Sequence, residues 1–296
     1  MSASGAAARG HLAMLLFSAL IAGSFSLGAQ AAPHIAPSVL NAVRFVIAAL
    51  VVGILAASLG QLSRRALHAP WRYLVLGGLF SIYFVTMFEA LKTVSAVSTA
   101  AVFTLTPFIA ALFGWVVLRQ RLSPRMALGL AVGALGALWV VFRADLGALL
   151  AFDLGRGEMI FLVGCTAHAL YPTASRALNR GEPALVVNFG MLLAGIVILV
   201  SYGWSDILAT RWTELPAIVW ITIFYTAVVA GATTFTLLQF AATRLPGAKV
   251  MAYTYLVPAW VVLWEVARGN PIPAPMIMAG MVLIVASLVI LLRDPG

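Results

Sequence analysis

Charge is what this chain has least of. Asp, Glu, Lys and Arg make up 9% of its 296 residues, against about a quarter in a soluble domain. So few solvated side chains do not cover the surface of a water-soluble protein of this length. Cysteine is nearly absent too: Cys165 is alone and sits in an apolar run, so no intramolecular disulfide can form. The four histidines (His11, His34, His68 and His168) are scattered, and no cluster of Cys and His has the spacing of a metal site. There is no HExxH, GxSxG or GxxxxGK[ST] string, which removes the usual sequence signatures of zinc hydrolases, serine hydrolases and ATP-driven pumps. No Asp lies in the middle of an apolar run, so a proton relay through Asp is not indicated.

What is present is hydrophobic sequence: 63% of the residues, with a mean hydropathy of +1.05. Crossing about 30 Å of hydrocarbon takes about 20 helical residues. Ten runs qualify: 12–32, 37–60, 73–91, 94–118, 126–142, 158–178, 183–204, 216–242, 246–267 and 275–292. Proline opens several of them, where its missing N–H costs nothing. Trp71, Trp115, Trp204 and Trp212 fall near run ends, as interfacial aromatics do. The expected fold is an all-α membrane protein of ten transmembrane helices, with the lipid bilayer as its surroundings and no soluble module. The net charge of +9 does not point to nucleic acid, because the basic residues are spread through short connectors.

Those connectors orient the chain. With the N-terminus inside, Arg9, Arg64, Arg65, Arg72, Arg119, Arg121, Arg125, Arg176, Arg180, Arg244 and Arg293 are cytoplasmic, while Lys92, Arg143, Arg156, Arg211 and Arg268 are outside. This bias of about two to one follows the positive-inside rule and puts both termini in the cytoplasm. Arg9, the apolar stretch after it and Ala29-Gln30-Ala31 also fit a cleavable signal peptide. An internal repeat argues for keeping the first helix.

That repeat is an ungapped offset of 151 (258 − 107), which pairs Pro107 with Pro258, Leu105 with Leu256, Leu112 with Leu263, Pro124 with Pro275 and Gly129 with Gly280. Pro107 and Pro258 are expected to kink their helices at equivalent places. Pro37 and Pro183 open the second helix of each half. The halves are 1–146 and 147–296, with five helices each. Because five is odd, the second half enters the membrane from the opposite side, an inverted 5+5 repeat of the kind that supports alternating access.

At this point the sequence resembles the EamA family of the drug/metabolite transporter superfamily. The resemblance runs through Gly23-Ser24-Phe25, Arg44, Phe88-Glu89-Ala90-Leu91, Ser95-Ala96, Thr106-Pro107, Arg121-Leu122-Ser123-Pro124 and Gly129. In the second half it runs through Phe240-Ala241-Ala242, Pro246-Gly247-Ala248, Val257-Pro258 and Gly280. A Glu often found before the basic residue that closes the fourth helix is Gln120 here, with Pro271 at the repeat position. The resemblance is greatest to the YddG-type exporters of aromatic amino acids. It implies a secondary transporter in the bacterial plasma membrane that exports amino acids or related small amphipathic metabolites. The implied central cavity is lined by helices one, three, four, six, eight and nine, and no cofactor is needed. A drug, cation or lipid-precursor carrier shares the architecture. An integral-membrane enzyme or a receptor for a protein partner is the alternative from another class.

The residues nominate their own lining. Gly164, His168, Tyr171 and Ser175 lie at i, i+4, i+7 and i+11 on one face of helix six. A polar stripe is unfavourable against lipid, so this face should turn inward. Thr99, Phe103 and Thr106 share a face of helix four, with Thr106 just before the kink proline. Tyr83 in helix three has Thr234 as its repeat partner, and Phe25 in helix one corresponds to Tyr171. Tyr253 lines the cavity from helix nine, while Tyr255 faces either cavity or lipid. A structural role is the competing reading for each: a His bonded to a neighbouring helix, a Thr bonded to its own backbone, a Tyr at the interface. Glu89 and Glu265 are expected at the solvated rim, Lys249 to snorkel, and Arg44 to be structural with carbonyl or acidic partners. Gly129, Gly133 and Gly136 on helix five suit close packing against helix ten within a monomer, or against a second protomer.

Overall fold

Without water to satisfy backbone N–H and C=O groups, long apolar stretches must bond within themselves, and helices do so. The computed structural model describes residues 3–62, 68–119, 123–151, 154–242, 244–245 and 247–293, and every element among them is helical. Arg64, Arg65, Gln120, Arg121, Leu122 and Pro246 lie outside the described residues. The helices are α1 (Ala3–Ala31), α2 (Pro37–Ser58), α3 (Trp71–Ala90), α4 (Ala96–Phe103), α5 (Thr106–Leu118), α6 (Pro124–Val141), α7 (Leu146–Ala151) and α8 (Arg156–Leu178). They continue as α9 (Ala184–Tyr202), α10 (Trp204–Ala209), α11 (Ala217–Phe224), α12 (Thr234–Ala242), α13 (Gly247–Ala252), α14 (Val257–Ala267) and α15 (Pro275–Leu292). Tyr225–Thr233 joins α11 to α12 as a π-helix, and Tyr253–Leu256 joins α13 to α14 as a 3-10 turn.

Among the described residues, nine helical stretches are long and apolar enough to cross a membrane. The tenth expected span, α8, has the length at 23 residues but carries Arg156, Glu158 and Arg176 as well as His168. Large apolar side chains such as Leu50, Ile54, Leu135 and Val282 are 60–69% exposed, a surface that calls for lipid. Trp71, Trp115 and Trp204 are exposed near helix ends.

The repeat positions act as local signals. α5 begins at Thr106 and α14 at Val257, 151 residues apart, with Pro107 and Pro258 in second position. Proline fits there because the first turn lacks N–H partners. The same spacing separates the starts of α6 and α15, and their ends. Helical hydrogen bonding is interrupted just before each proline: α4 stops at Phe103, and the 3-10 turn precedes α14.

Equivalent helices pair with each other. α6 lies along α15, and its successive neighbours run backwards: Gly129 meets Leu291, Gly133 meets Ser287 and Gly136 meets Ile284. The two helices are therefore antiparallel. α2 and α9 behave alike, with Ser38 beside Gly203, Phe45 beside Gly195 and Gly53 beside Phe189. α3 packs on α8 as α1 packs on α11 and α12. Gly136 and Gly280 let α6 and α15 touch through backbone: a Cβ on Gly136 would stand 2.8 Å from the Gly280 carbonyl oxygen. Tyr255 is wholly buried against this pair, next to Gly133, and does not face lipid.

The helix ends carry the ion pairs. Glu89 bonds Lys92 at 2.7 Å and Glu265 bonds Arg268 at 3.2 Å, both in partly exposed positions. Arg72, at the start of α3, is buried; it donates to Glu182 at 2.6 Å and to the Leu178 carbonyl at 2.7 Å, tying α3 to the α8–α9 connector.

Candidate functional site

Four helices bring their aromatic residues to one place. Tyr83 on α3 is the hub. Its ring centroid lies 4.4 Å from His168, 5.8 Å from Phe161, 6.1 Å from Phe103 and 4.7 Å from Phe84. Phe25 of α1 closes the group, 5.7 Å from Phe103 and 6.2 Å from Phe161. Phe80 extends it to Tyr171 at 4.4 Å and to His168 at 5.7 Å. Offset and edge contacts of this kind add about 0.5–1.5 kcal/mol per pair beyond area burial. Phe25, Tyr83, Phe103 and Phe161 are all buried.

The close approach of α3 and α8 makes the cluster possible. It depends on Gly164, where a Cβ would sit 3.2 Å from the Tyr83 carbonyl oxygen and collide with the Thr86 hydroxyl. One turn further along α8, the His168 ring reaches Tyr83 and Phe103. The face of α8 that carries His168 and Tyr171 lies against the rings of α3, where both residues meet Phe80. Ser175 follows Tyr171 by one turn and interacts with its hydroxyl.

Unspent polar groups collect around these rings. Among the described residues, buried His168 Nδ1 has no hydrogen-bond partner, and neither has Thr106 Oγ1, although the Cys165 thiol approaches it. The Tyr83 hydroxyl makes no hydrogen bond among the described residues. Pro172, inside α8, has no N–H for the carbonyl of His168, and Pro107 has none for that of Phe103. Two main-chain acceptors thus lose their helical partners at residues whose rings are 5.7 Å apart. Orphaned buried groups cost about 1–3 kcal/mol each, so a cluster of them marks a place where a ligand has something to satisfy.

Other nominated residues are bonded elsewhere. Thr99 is buried but donates to Ser95 O in its own helix at 2.9 Å, and Thr234 does the same to Ala230 O. Tyr253 belongs to a different apolar cluster with Met14, Phe17 and Leu245, and bonds His11 Nδ1 at 2.9 Å. Helices eight and nine of the expected ten therefore contribute less to this centre than helices one, three, four and six. Helix two contributes more than expected: Phe45 lies 6.0 Å from Phe84, and the Arg44 guanidinium stacks on Phe84 at 3.7 Å. The signal in the sequence was a lone Arg in an apolar run. Pro172 was also legible, as a proline inside a helix. No group of three His, Cys, Asp or Glu side chains that could hold a metal ion occurs among the described residues.

A depression of about 380 Å³ opens between the α1–α2 and α9–α11 connectors, away from the aromatic cluster, lined by His34, Asp206, Arg211 and Glu214 among others. Asp206 there accepts a hydrogen bond from Ser38 at 2.9 Å.

Comparison with known proteins agrees with this architecture. A bacterial relative, the uncharacterized transporter YyaM of Bacillus subtilis (strain 168), is 23% identical over 287 residues, covering 94% of this chain and 92% of that protein. A solved structure titled only "Crystal structure of protein" superposes with a TM-score of 0.69 at 23% identity, over 98% of this chain and 96% of that one. It shares the fold. The pattern of the EamA-like transporter family matches residues 8–142 and 155–293, nearly the whole length, and the chain belongs to that family of membrane transporters.

Proposed function

We propose that the protein exports amino acids or related small amphipathic metabolites from the cytoplasm across the bacterial plasma membrane, by alternating access around the Tyr83–His168 centre. The carrying observation is the tilted Tyr83–His168 ring pair, with centroids 4.4 Å apart, flanked by Phe80 and Phe103 and bordered by unpartnered polar atoms. Apolar walls with a few convergent polar groups suit an amphipathic substrate. The carbonyls of Phe103 and His168 offer acceptors to an ammonium group, as broken helices do in other transporters.

The reading takes α8 as the tenth span, 1–146 and 147–296 as the two halves, and both termini as cytoplasmic. The antiparallel pairing of α6 with α15 and of α2 with α9 supports an inverted relation between the halves. The two separate segments matched by the family pattern support the division. Each half would move as a body, and the protein would act as a monomer. Such a carrier needs no cofactor.

The test is uptake of labelled threonine, methionine and phenylalanine into liposomes holding the purified protein, with and without an imposed pH gradient. Saturable uptake is expected, reduced at least about tenfold in His168→Ala and Tyr83→Ala, as when a contact made to the moving substrate is lost. No movement of any amino acid by correctly folded protein would refute the substrate class. Normal uptake by both variants would refute the site.

A further inference from the structure

We infer that Arg44 is a substrate-binding residue that recognises a carboxylate, so that the compounds carried must bear a carboxylate or an equivalent small anionic group. The inference rests on the transporter reading above and names what its site selects for.

Arg44 lies seven residues into α2 from Pro37, about 10 Å along the helix axis, and it is 6% exposed. A guanidinium remains charged under all physiological conditions and carries five N–H donors in a fixed fork. Burying it in a membrane protein is costly unless partners are supplied. A structural arginine in such a place is normally matched by an acid. Here no carboxylate stands within 4.0 Å of it among the described residues; the ion pairs belong to Arg72, Lys92, Arg211 and Arg268.

Its observed partners are weak. Nη1 donates to Asn41 Oδ1 at 3.5 Å, at the outer limit of a hydrogen bond. The flat face of the guanidinium rests on Phe84, 3.7 Å from the ring centroid. A cation–π contact offsets part of the cost of burial, and it leaves the edge of the fork, where the donors point, unused. Asn41 is itself anchored, donating to the Pro37 carbonyl at 2.8 Å.

The position of the unused fork gives it a purpose. Phe84 touches Tyr83 at 4.7 Å, and Tyr83 touches His168 at 4.4 Å, so Arg44 is one ring away from the proposed substrate centre. Tyr83, on the far side of Phe84, offers a second donor, since its hydroxyl makes no hydrogen bond among the described residues. A planar, two-oxygen anion matches an Arg fork better than any neutral or cationic group. Amphiphiles lacking an anion would leave the fork unsatisfied and be discriminated against, as when a polar site meets an analogue without its partner group.

The experiment measures ligand-induced stabilisation of the intact, detergent-solubilised protein with matched probes: phenylalanine against phenylalaninamide and phenethylamine, and phenylacetate against phenylacetamide. Each carboxylate is expected to bind at least about 30-fold more tightly than its neutral or cationic match, the factor lost when one partner of a buried charge pair is removed. Arg44→Met should abolish the preference, and Arg44→Lys should keep it at reduced affinity. Should Arg44→Met fail to fold, Asn41→Asp serves in its place. It puts a carboxylate against Nη1 at the cost of the Pro37 bond, satisfies the arginine internally, and should lose carboxylate binding while the protein stays folded. Equal binding of acids and amides by the wild type, or unchanged acid binding in Arg44→Met or Asn41→Asp, would overturn the inference. These readouts do not require transport. If no amino acid is carried but Arg44-dependent acid binding is seen, the inference stands and the export of amino acids falls. If amino acids and their amides are carried equally well, the reverse holds.

Discussion

Glu182→Gln isolates the buried ion pair at one end of the bundle. Glu182 and Arg72 meet at 2.6 Å with side chains 10% and 4% exposed. At that separation two unit charges attract by about 6 kcal/mol in an effective dielectric of about 20, and desolvation of both ions removes much of this. Arg72 also donates to the carbonyls of Leu178, Ala69 and His68, so the variant retains part of the network. A net loss of about 2–3 kcal/mol is expected, below the 3–5 kcal/mol seen when a buried charge is left bare. A double-mutant cycle with Arg72→Met, followed by unfolding in mixed micelles, should give a coupling above about 1 kcal/mol, more than an exposed pair supplies. The pH dependence supplies a second check. The hydrogen bond from Arg72 holds the Glu182 carboxyl below its usual value of 4.5, at about 2. A lowered carboxyl contributes stability that is complete above its unfolded value and drains away as pH falls towards the folded one. The gap between wild type and Glu182→Gln should be constant from about pH 7 to 5 and narrow below about 4.5. A coupling under about 0.5 kcal/mol, or a gap that widens on acidification, would refute the assignment.

Gly164→Val places methyl groups against the Tyr83 carbonyl and Thr86, so a loss of about 1–3 kcal/mol is expected from overpacking; a melting curve unchanged from wild type would contradict the close α3–α8 approach. Pro172→Ala restores an N–H for the His168 carbonyl. Stability should hold or rise, while the liposome uptake rate falls, because an acceptor in the centre has been consumed; an unchanged rate would remove that carbonyl from the site. Tyr253→Phe deletes the 2.9 Å bond to His11 and should lower the unfolding free energy by about 0.5–1.5 kcal/mol, with substrate selectivity unaltered in the same uptake panel.

The long apolar runs were legible because their length and composition need no knowledge of neighbours. The offset of 151 was legible too, and it coincides with the shared starts of α5 and α14 and of α6 and α15. Local hydropathy is silent on how a run is divided. The break after Phe103, the 3-10 turn at Tyr253–Leu256 and the short helices α7 and α10 all depend on where carbonyls find donors. Partners were the other hidden quantity. The spacing of His168 and Tyr171 put them on one face, but only packing against α3 supplies Phe80 and Tyr83. Tyr253 looked much like Tyr83 in sequence, yet its hydroxyl meets His11 in a different cluster. Arg44 suggested an acidic or carbonyl partner, and the structure instead gives it a phenylalanine face and a distant amide.

The π-helix at Tyr225–Thr233 breaks the symmetry of the molecule. The first-half counterpart, α3, has 20 residues, while α11 through α12 takes 26 (217–242). The wider turn takes up some of that surplus, and the Thr233 hydroxyl reaches back five residues to the Val228 carbonyl. Two identical inverted halves would exchange roles with no change in energy, so inward-open and outward-open forms would be populated equally. A chain with a coiled-up surplus in one half only has no such degeneracy. On the alternating-access reading proposed above, the segment 225–233 is one place where the inward-open and outward-open forms differ in energy before any substrate or ion gradient acts.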